Sequence, residues 1–175
     1  MWGTRARIPV LCLLLAVPAP LAAAGPSRET SASSAPAIVG RIEIPRLGIA
    51  APVREGSEDE TLRVAVGHIE GTARIGAPGN AGLAAHRNTF FHPLRNVKIG
   101  DLVTVTTADG VFSYRVKGTR VVEPTDVSVL EPTPAETLTL VTCYPFDWVG
   151  EAPRRLIVSA ARVAESGTAL ASGAR

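Results

Sequence analysis

Short stretches in which apolar and polar residues alternate dominate the chain from residue 38 onward. A period of two is typical of a β-strand with one buried face. This pattern predicts strands over 38–45, 47–53, 82–85, 102–107, 111–122, 137–142 and 155–163. Turn residues rich in glycine and proline separate them, most densely between Gly67 and Asn80. We therefore predict an all-β fold, either a barrel or a sandwich.

Two brief stretches carry helical signals instead. Ser57 precedes the acidic residues 58–60, which predicts a helix N-cap and an acidic first turn, with Leu62 and Val66 on its apolar side. Thr89 is placed to cap a second short helix that runs toward Val97. Helices this short only connect strands, so they leave the fold class unchanged.

Composition limits the function classes. A chain of 175 residues that is 46% hydrophobic can bury one ordinary core, so we expect one domain. The net charge of +2 is spread along the chain, and aromatic residues make up 5%. Neither a basic patch nor a base-stacking platform is evident, so we expect no nucleic-acid partner.

The N-terminus carries the parts of an export signal. Arg5 and Arg7 precede an apolar run over 8–17, and small residues follow at 21–25. We predict a signal peptide or an uncleaved membrane anchor over 1–24 and a flexible linker over 25–36. The folded domain then spans 37–164, and a Gly-, Ala- and Ser-rich tail over 165–175 is predicted to be disordered.

Cys143 lies at the end of the predicted strand 137–142, just before Pro145. The chain's other cysteine, Cys12, lies inside the export segment, so an exported mature chain would keep a single thiol with no disulfide partner. A buried and inert thiol is the common role of such a residue. A reactive thiol at the rim of a rigid scaffold is the alternative.

His86 and the Arg154-Arg155 pair also lie at strand ends. Together with Cys143 they supply what thiol chemistry on a carbonyl needs. A cysteine thiol has an ordinary pKa near 8.5, and a cationic neighbour raises its thiolate fraction. An imidazole can protonate a leaving amine, and a guanidinium can neutralise an oxyanion. Alternation along a strand places the two arginines on opposite faces, so only one of them can face Cys143.

Two further residues are candidates for substrate contact. His68 lies in the glycine-rich turn region, where bonding to local backbone is its other possible role, and Thr142 directly precedes Cys143. A metal site built from Cys143, His86 and His68 is a rival hypothesis, but the usual C-x-x-C and H-x-x-x-H spacings are missing. We therefore expect neither a metal nor another cofactor.

Three stretches together resemble the sortase family of cysteine transpeptidases. They are G-H-I-E-G-T-A with G-A-P-G-N-A-G-L-A-A-H-R-N-T-F-F, then L-R-N-V-K-I-G-D-L-V-T-V, and finally T-L-V-T-C-Y-P-F with P-R-R-L-I-V. The T-C-Y-P-F form and the compact size most resemble class D, with Ala85 where the family usually has glycine. The resemblance implies an eight-stranded antiparallel β-barrel with short connecting helices, and the R-L-I-V pattern favours Arg155 as the active arginine.

The resemblance also implies a reaction. Cys143 would attack the threonine carbonyl of an L-P-x-T-G-like sorting signal on a surface protein, His86 would protonate the departing amine, and Arg155 would stabilise the oxyanion. An amine from a cell-wall peptide or a pilin lysine would then release the product. The expected enzyme is a monomer near the membrane, at the extracytoplasmic face of the envelope. A secreted cysteine hydrolase that uses water as the acceptor is the alternative.

Overall fold

Eight strands form the fold in a computed structural model, which describes residues 37–163. They are β1 (Ile38–Ile44), β2 (Ile49–Glu55), β3 (Val66–His68), β4 (Asn80–Ala84), β5 (Leu102–Thr107), β6 (Gly110–Val122), β7 (Thr137–Tyr144) and β8 (Arg154–Arg162). These strands close into a barrel in the order β1-β2-β3-β4-β7-β8-β6-β5. The expected all-β, eight-stranded barrel is therefore confirmed.

Strand pairing differs from the expectation in one respect. Within residues 37–163, six of the eight neighbouring pairs are antiparallel, whereas β2–β3 and β4–β7 are parallel. A parallel pair needs a crossover connection. The first crossover carries the only α-helix of the described residues, and the second carries β5 and β6. The expectation of an entirely antiparallel barrel was wrong for these two pairs.

The short helices are also placed slightly differently from the prediction. Helix α1 spans Asp59–Val64, and Glu58 rather than Ser57 takes the N-cap position, without a side-chain hydrogen bond. Val66 belongs to β3, a strand of three residues that is too short for a periodic pattern to reveal. The other helices are 3-10 turns over Pro45–Leu47, His92–Asn96 and Val127–Leu130.

The barrel interior holds the core. Alternate residues of β7 and β8 point inward, and Leu138, Leu140 and Val158 are fully buried. Full burial of such a side chain stabilises the fold by about 1.5–3 kcal/mol. Because side chains alternate along a strand, the residues between these positions face the outside of the barrel, where a substrate can reach them.

Three of the predicted segments, 1–24, 25–36 and 165–175, lie outside the described residues. Among residues 37–163, no helix has the length and apolar character that crossing a membrane would require.

Candidate active site

Parallel pairing of β4 with β7 brings the candidate histidine and cysteine to the same end of the barrel. Ala84 pairs with Val141 in this ladder. His86 and Cys143 each come two residues later in their own chain segments. Both side chains therefore lie at the same level, one just beyond the end of β4 and one near the end of β7.

The backbone that carries His86 is fixed to β7 on both sides of the preceding residue, Ala85. The Ala85 N–H donates to the carbonyl of Val141 at 3.2 Å. The Thr142 hydroxyl donates to the Ala85 carbonyl at 2.7 Å. Since an unpaired buried carbonyl would be costly, these contacts hold the residue before His86 in register with the cysteine strand.

Thr142 itself is only 2% exposed and points into the barrel. It does not line the cavity described below. The Thr142 side chain points inward because residues alternate along a strand: Leu140 and Thr142 share one face of β7, and Cys143 lies on the other. The position of Thr142 therefore supports a role in fixing His86, and a direct contact with substrate stays a prediction.

Register also separates the two arginines. Arg155 lies directly opposite Cys143 across the β7–β8 ladder, whereas Arg154 lies opposite Tyr144. Residues directly opposite each other in an antiparallel pair present their side chains on the same face. Arg154 is exposed and faces Glu123, with its Nε 3.4 Å from the carboxylate. Arg155 is therefore the arginine that shares a face with the thiol.

Arg155 is anchored by backbone carbonyls. Its Nη1 donates to Ala152 at 3.1 Å and to Arg154 at 3.0 Å. Within residues 37–163, no hydrogen bond uses its Nε or Nη2. The guanidinium is thus held in place while part of its fork stays available for a developing negative charge.

A cavity of about 570 Å³ joins the three side chains. It is lined by His86, Arg87, Asn88, Pro124, Cys143, Gly150, Glu151, Ala152 and Arg155. The lining comes from the segments that follow β4, β6 and β7, which meet at one end of the barrel. Cys143 is a free, partly exposed cysteine in this wall. The cavity can therefore admit an extended peptide to the thiol.

Asp59 is a neighbour of His86 that the sequence did not reveal. Its Oδ1 lies 3.4 Å from the His86 Nε2, while its Oδ2 accepts a hydrogen bond from Arg63 at 2.6 Å. The acidic run 58–60 was interpreted only as the start of a helix. A contact across 27 residues of sequence leaves no local signal, so pattern alone could not have found it.

His68 lies elsewhere. It is 6% exposed, its Nδ1 is 2.9 Å from the Glu55 carboxylate, and its Nε2 is 2.9 Å from the Ala73 carbonyl. It lines a separate cavity of about 260 Å³ together with residues of the β5–β6 turn. Bonding to local backbone, its other possible role, is therefore what its Nε2 does, and contact with substrate stays a prediction.

The same placement contradicts the rival metal site. His68 cannot join His86 and Cys143 around one ion, because it lies in a different cavity. Among the described residues, no three His, Cys, Asp or Glu side chains are grouped as ligands.

Comparison with known proteins decides the family. The family model of the sortase domain, which describes the family's sequences, matches residues 42–163, and these residues include most of the barrel. The chain belongs to the sortase family.

Curated sortases match at moderate identity. Sortase D of Bacillus subtilis is 34% identical over 125 residues, covering 71% of this chain and 63% of that protein. Sortase SrtE1 of Streptomyces coelicolor is 35% identical over 123 residues, covering 59% of this chain and 35% of that protein. The chain therefore spans less than two thirds of the length of either relative.

Solved sortases share the fold. A sortase D5 transpeptidase of Clostridium perfringens has a TM-score of 0.66 at 30% identity, covering 72% of this chain and 79% of that one. Sortase A of Corynebacterium diphtheriae has a TM-score of 0.67 at 30% identity, covering 73% and 61%. Sortases D and D5 among the relatives support the resemblance to class D, and class A matches the fold equally well.

Proposed function

We propose that this sortase is a cysteine transpeptidase that cleaves an L-P-x-T-G-like sorting signal after its threonine and transfers the threonine acyl group to an amine. One observation carries the proposal: Cys143, His86 and Arg155 line a single cavity at one end of the barrel. Thiol, imidazole and guanidinium are together sufficient for acyl transfer through a thioester.

In the first half-reaction, the Cys143 thiolate attacks the carbonyl carbon of the signal's threonine. The electron pair of the C=O bond moves to oxygen, and the Nε and Nη2 donors of Arg155 stabilise that oxyanion. Removal of one such donor in other enzymes slows catalysis by about 10²- to 10³-fold. Because Arg155 shares its ladder position with Cys143, the donor is fixed relative to the attacking sulfur.

Collapse of the tetrahedral intermediate breaks the amide C–N bond, and His86 donates its proton to the departing amine. The product is a thioester on Cys143. In the second half-reaction His86 takes a proton from the incoming amine, which attacks the thioester and restores the thiolate. Water in place of the amine would give hydrolysis.

We infer that the donors are surface proteins that carry a sorting signal, and that a cell-wall peptide or a pilin lysine supplies the amine. This assignment places the monomeric enzyme at the extracytoplasmic face of the cell envelope. Residues 37–164 form the catalytic domain, residues 25–36 link it to the N-terminal segment, and residues 1–24 serve as signal peptide or anchor. The match of the family model to 42–163 supports the domain boundary.

The decisive experiment traps the thioester. The full chain is incubated with an L-P-x-T-G-containing peptide, quenched in acid and analysed by mass spectrometry. We expect a mass increase equal to the acyl half of the peptide, located on Cys143 by fragmentation. A Cys143→Ala variant, which keeps the strand and loses the sulfur, should gain no mass.

The acceptor is tested by adding a primary amine at millimolar concentration to the same mixture. Transpeptidation predicts a new amide-linked product whose share rises with amine concentration. Hydrolysed peptide as the sole product in excess amine would instead establish a hydrolase. Peptide left intact by the wild-type chain, with no mass gained on Cys143, would contradict the proposed substrate class.

A further inference from the structure

Arg87 follows the candidate proton donor directly and lines the same cavity, but its side chain holds a different segment. Its Nη2 donates to the carbonyl of Trp148 at 2.8 Å and to the carbonyl of Gly150 at 2.9 Å. Both acceptors belong to residues 145–153, which connect β7 to β8 and which we name the β7–β8 loop. One guanidinium therefore spans the tip of this loop.

The β7–β8 loop forms one wall of the cavity. Gly150, Glu151 and Ala152 line the space beside Cys143. The Ala152 carbonyl also accepts a hydrogen bond from Arg155. Any displacement of the loop would therefore change both the shape of the cavity and the support of the oxyanion-binding arginine.

Packing does little to hold the loop tip. Trp148 is 50% exposed and Val149 is 94% exposed. The adjacent ion pair, Arg95 with Asp147 at 2.6 Å, involves a carboxylate that is 90% exposed. An exposed ion pair of this kind holds only a side chain and contributes little, whereas the two hydrogen bonds of Arg87, although also exposed, attach to the backbone itself.

One donor of Arg87 is buried without a partner in the described part of the chain, so we expect this side chain to contribute to activity more than to stability. Its Nη1 is buried and has no hydrogen-bond partner among residues 37–163. A buried donor without a partner offsets much of what the other contacts contribute. Substitution of Arg87 should therefore change the thermal midpoint little while it releases the loop.

We propose that Arg87 is a positioning residue, which fixes the β7–β8 loop as a wall of the catalytic cavity and thereby keeps Arg155 in place. It acts through the loop and does not touch the reacting atoms. The consequence for catalysis rests on the proposed transpeptidase function, but the consequence for loop motion does not.

The test uses the full chain in a Trp2→Phe background, which leaves Trp148 as the only tryptophan of a sequence that has two. Both hydrogen bonds come from Nη2, so Arg87→Lys keeps the charge on a side chain that ends one atom short of that nitrogen, and Arg87→Gln removes the charge on a still shorter one. In both we expect a larger nanosecond component in the fluorescence anisotropy decay of Trp148. We also expect kcat/KM for the sorting-signal peptide to fall about 10- to 100-fold, as a displaced cavity wall predicts.

Arg95→Gln is the matched control, because it removes a guanidinium that contacts the same loop only through side chains, the exposed Asp147 carboxylate and the Phe146 ring. It should keep the wild-type anisotropy decay and kcat/KM. Thermal midpoints of Arg87→Lys and Arg87→Gln should stay within about 4 °C of the background protein, which excludes global loss of structure. If Arg87→Gln does not fold, Arg87→Lys decides alone.

A wild-type anisotropy decay and wild-type kcat/KM in Arg87→Lys would overturn the proposal, because the charge without the reach of Nη2 to both carbonyls would then suffice. An equal loss in Arg95→Gln would overturn it too. If the background protein does not turn over the peptide, the proposed function fails, and the anisotropy arm still decides whether Arg87 holds the loop.

Discussion

Cys143 and Arg155 face each other across the β7–β8 ladder, and Arg154 lies opposite Tyr144. The two arginines are adjacent in sequence and carry the same charge. Comparing their variants therefore separates the effect of an arginine's position from the effect of its charge. Arg154 contributes to an exposed ion pair with Glu123. Its removal changes only the surface.

We expect Arg155→Ala to lower kcat/KM for the sorting-signal peptide by about 10²- to 10³-fold, the loss typical of a missing oxyanion donor. Arg154→Ala should stay within about twofold of wild type, since exposed ion pairs contribute little. Steady-state peptide turnover of the purified variants measures both. The reverse order of the two effects would assign the oxyanion donor to Arg154.

Thr142 is the second residue with a specific expected effect. Thr142→Val keeps the shape of the side chain but leaves the buried Ala85 carbonyl without its donor at 2.7 Å. We expect a loss of about 1–3 kcal/mol in the free energy of unfolding, measured in urea, with slower turnover because the segment before His86 is released. Thr142→Ser, which retains the hydroxyl, is the control. Equal stability of the Val and Ser variants would show that this hydrogen bond contributes nothing.

At the scale of elements, Asn80 fixes the segment between β6 and β7 to the barrel. Its Nδ2 donates to the carbonyls of Val129 at 3.0 Å and Glu131 at 3.2 Å, and its Oδ1 accepts from Thr139 at 2.7 Å. Asn80 is 4% exposed; its bond with Thr139 is buried, and the two bonds to the carbonyls are partly buried. The Asn80 side chain thus joins the segment between β6 and β7 to β4, where Asn80 itself lies, and to β7.

Asn80→Asp should destabilise the fold by about 3 kcal/mol or more, because an ionised carboxylate has no donor for the two carbonyls and would be buried without a counter-charge. Urea unfolding gives the loss, and amide hydrogen exchange should rise first at residues 127–131. Thr139→Val removes only one of the three bonds and should cost about 1 kcal/mol. Unchanged exchange at 127–131 in the Asp variant would show that other contacts hold the segment.

The elements differ in how far the sequence could specify them. Long strands with a clear period of two, such as β5, β6 and β7, lie within a few residues of their predicted ranges. β3 was missed because three residues cannot display a period. The N-cap prediction at Ser57 was wrong, since an Asp or Glu at several neighbouring positions fits the same acidic first turn. The hydrogen bonds of Arg87 to Trp148 and Gly150 could not have been predicted, because they depend on where a loop 60 residues away returns.

At the scale of the whole molecule, strand order determines the site. Alternation predicts which residues of a strand face outward, but it does not state which strands are neighbours. The parallel β4–β7 pair brings His86 level with Cys143, and the antiparallel β7–β8 pair adds Arg155. The resemblance to sortases implied that these residues meet, whereas the residues alone indicated only that each lies at a strand end. His68 shows the limit of reasoning from sequence position. It lies in the glycine-rich turn region, but its side chain bonds to the Ala73 carbonyl and is not in the site.

An ion pair between Arg46 and Asp101 joins two parts of the barrel that are far apart in sequence. Arg46 lies between β1 and β2, and its guanidinium donates to both carboxylate oxygens of Asp101, just before β5, and to the Asn96 carbonyl. Asp101 also accepts from the Lys98 N–H at 2.8 Å. The Asp101 side chain is 4% exposed, whereas that of Arg46 is 43% exposed, so the carboxylate is buried beneath a partly exposed guanidinium. The hydrogen bond from Arg46 is the largest cause that lowers the pKa of Asp101 below its ordinary value.

A lowered pKa of this carboxyl makes stability depend on pH in a defined direction. The folded chain binds the proton less readily than the unfolded chain, so the ionised carboxylate stabilises the fold at every pH above the unfolded value of about 3.9. That contribution is lost as the pH falls from there through the lowered pKa of the folded state. Asp101→Asn should therefore be less stable than wild type by about 1.5–3 kcal/mol at pH 7, and the difference should shrink below about pH 4. Urea unfolding between pH 7 and pH 3 measures the difference, with Asp109→Asn, which breaks the exposed pair with Arg74, as a control expected to change little at any pH. A difference between Asp101→Asn and wild type that stays constant down to pH 3 would show that the Arg46–Asp101 ion pair is not the source of the acid sensitivity.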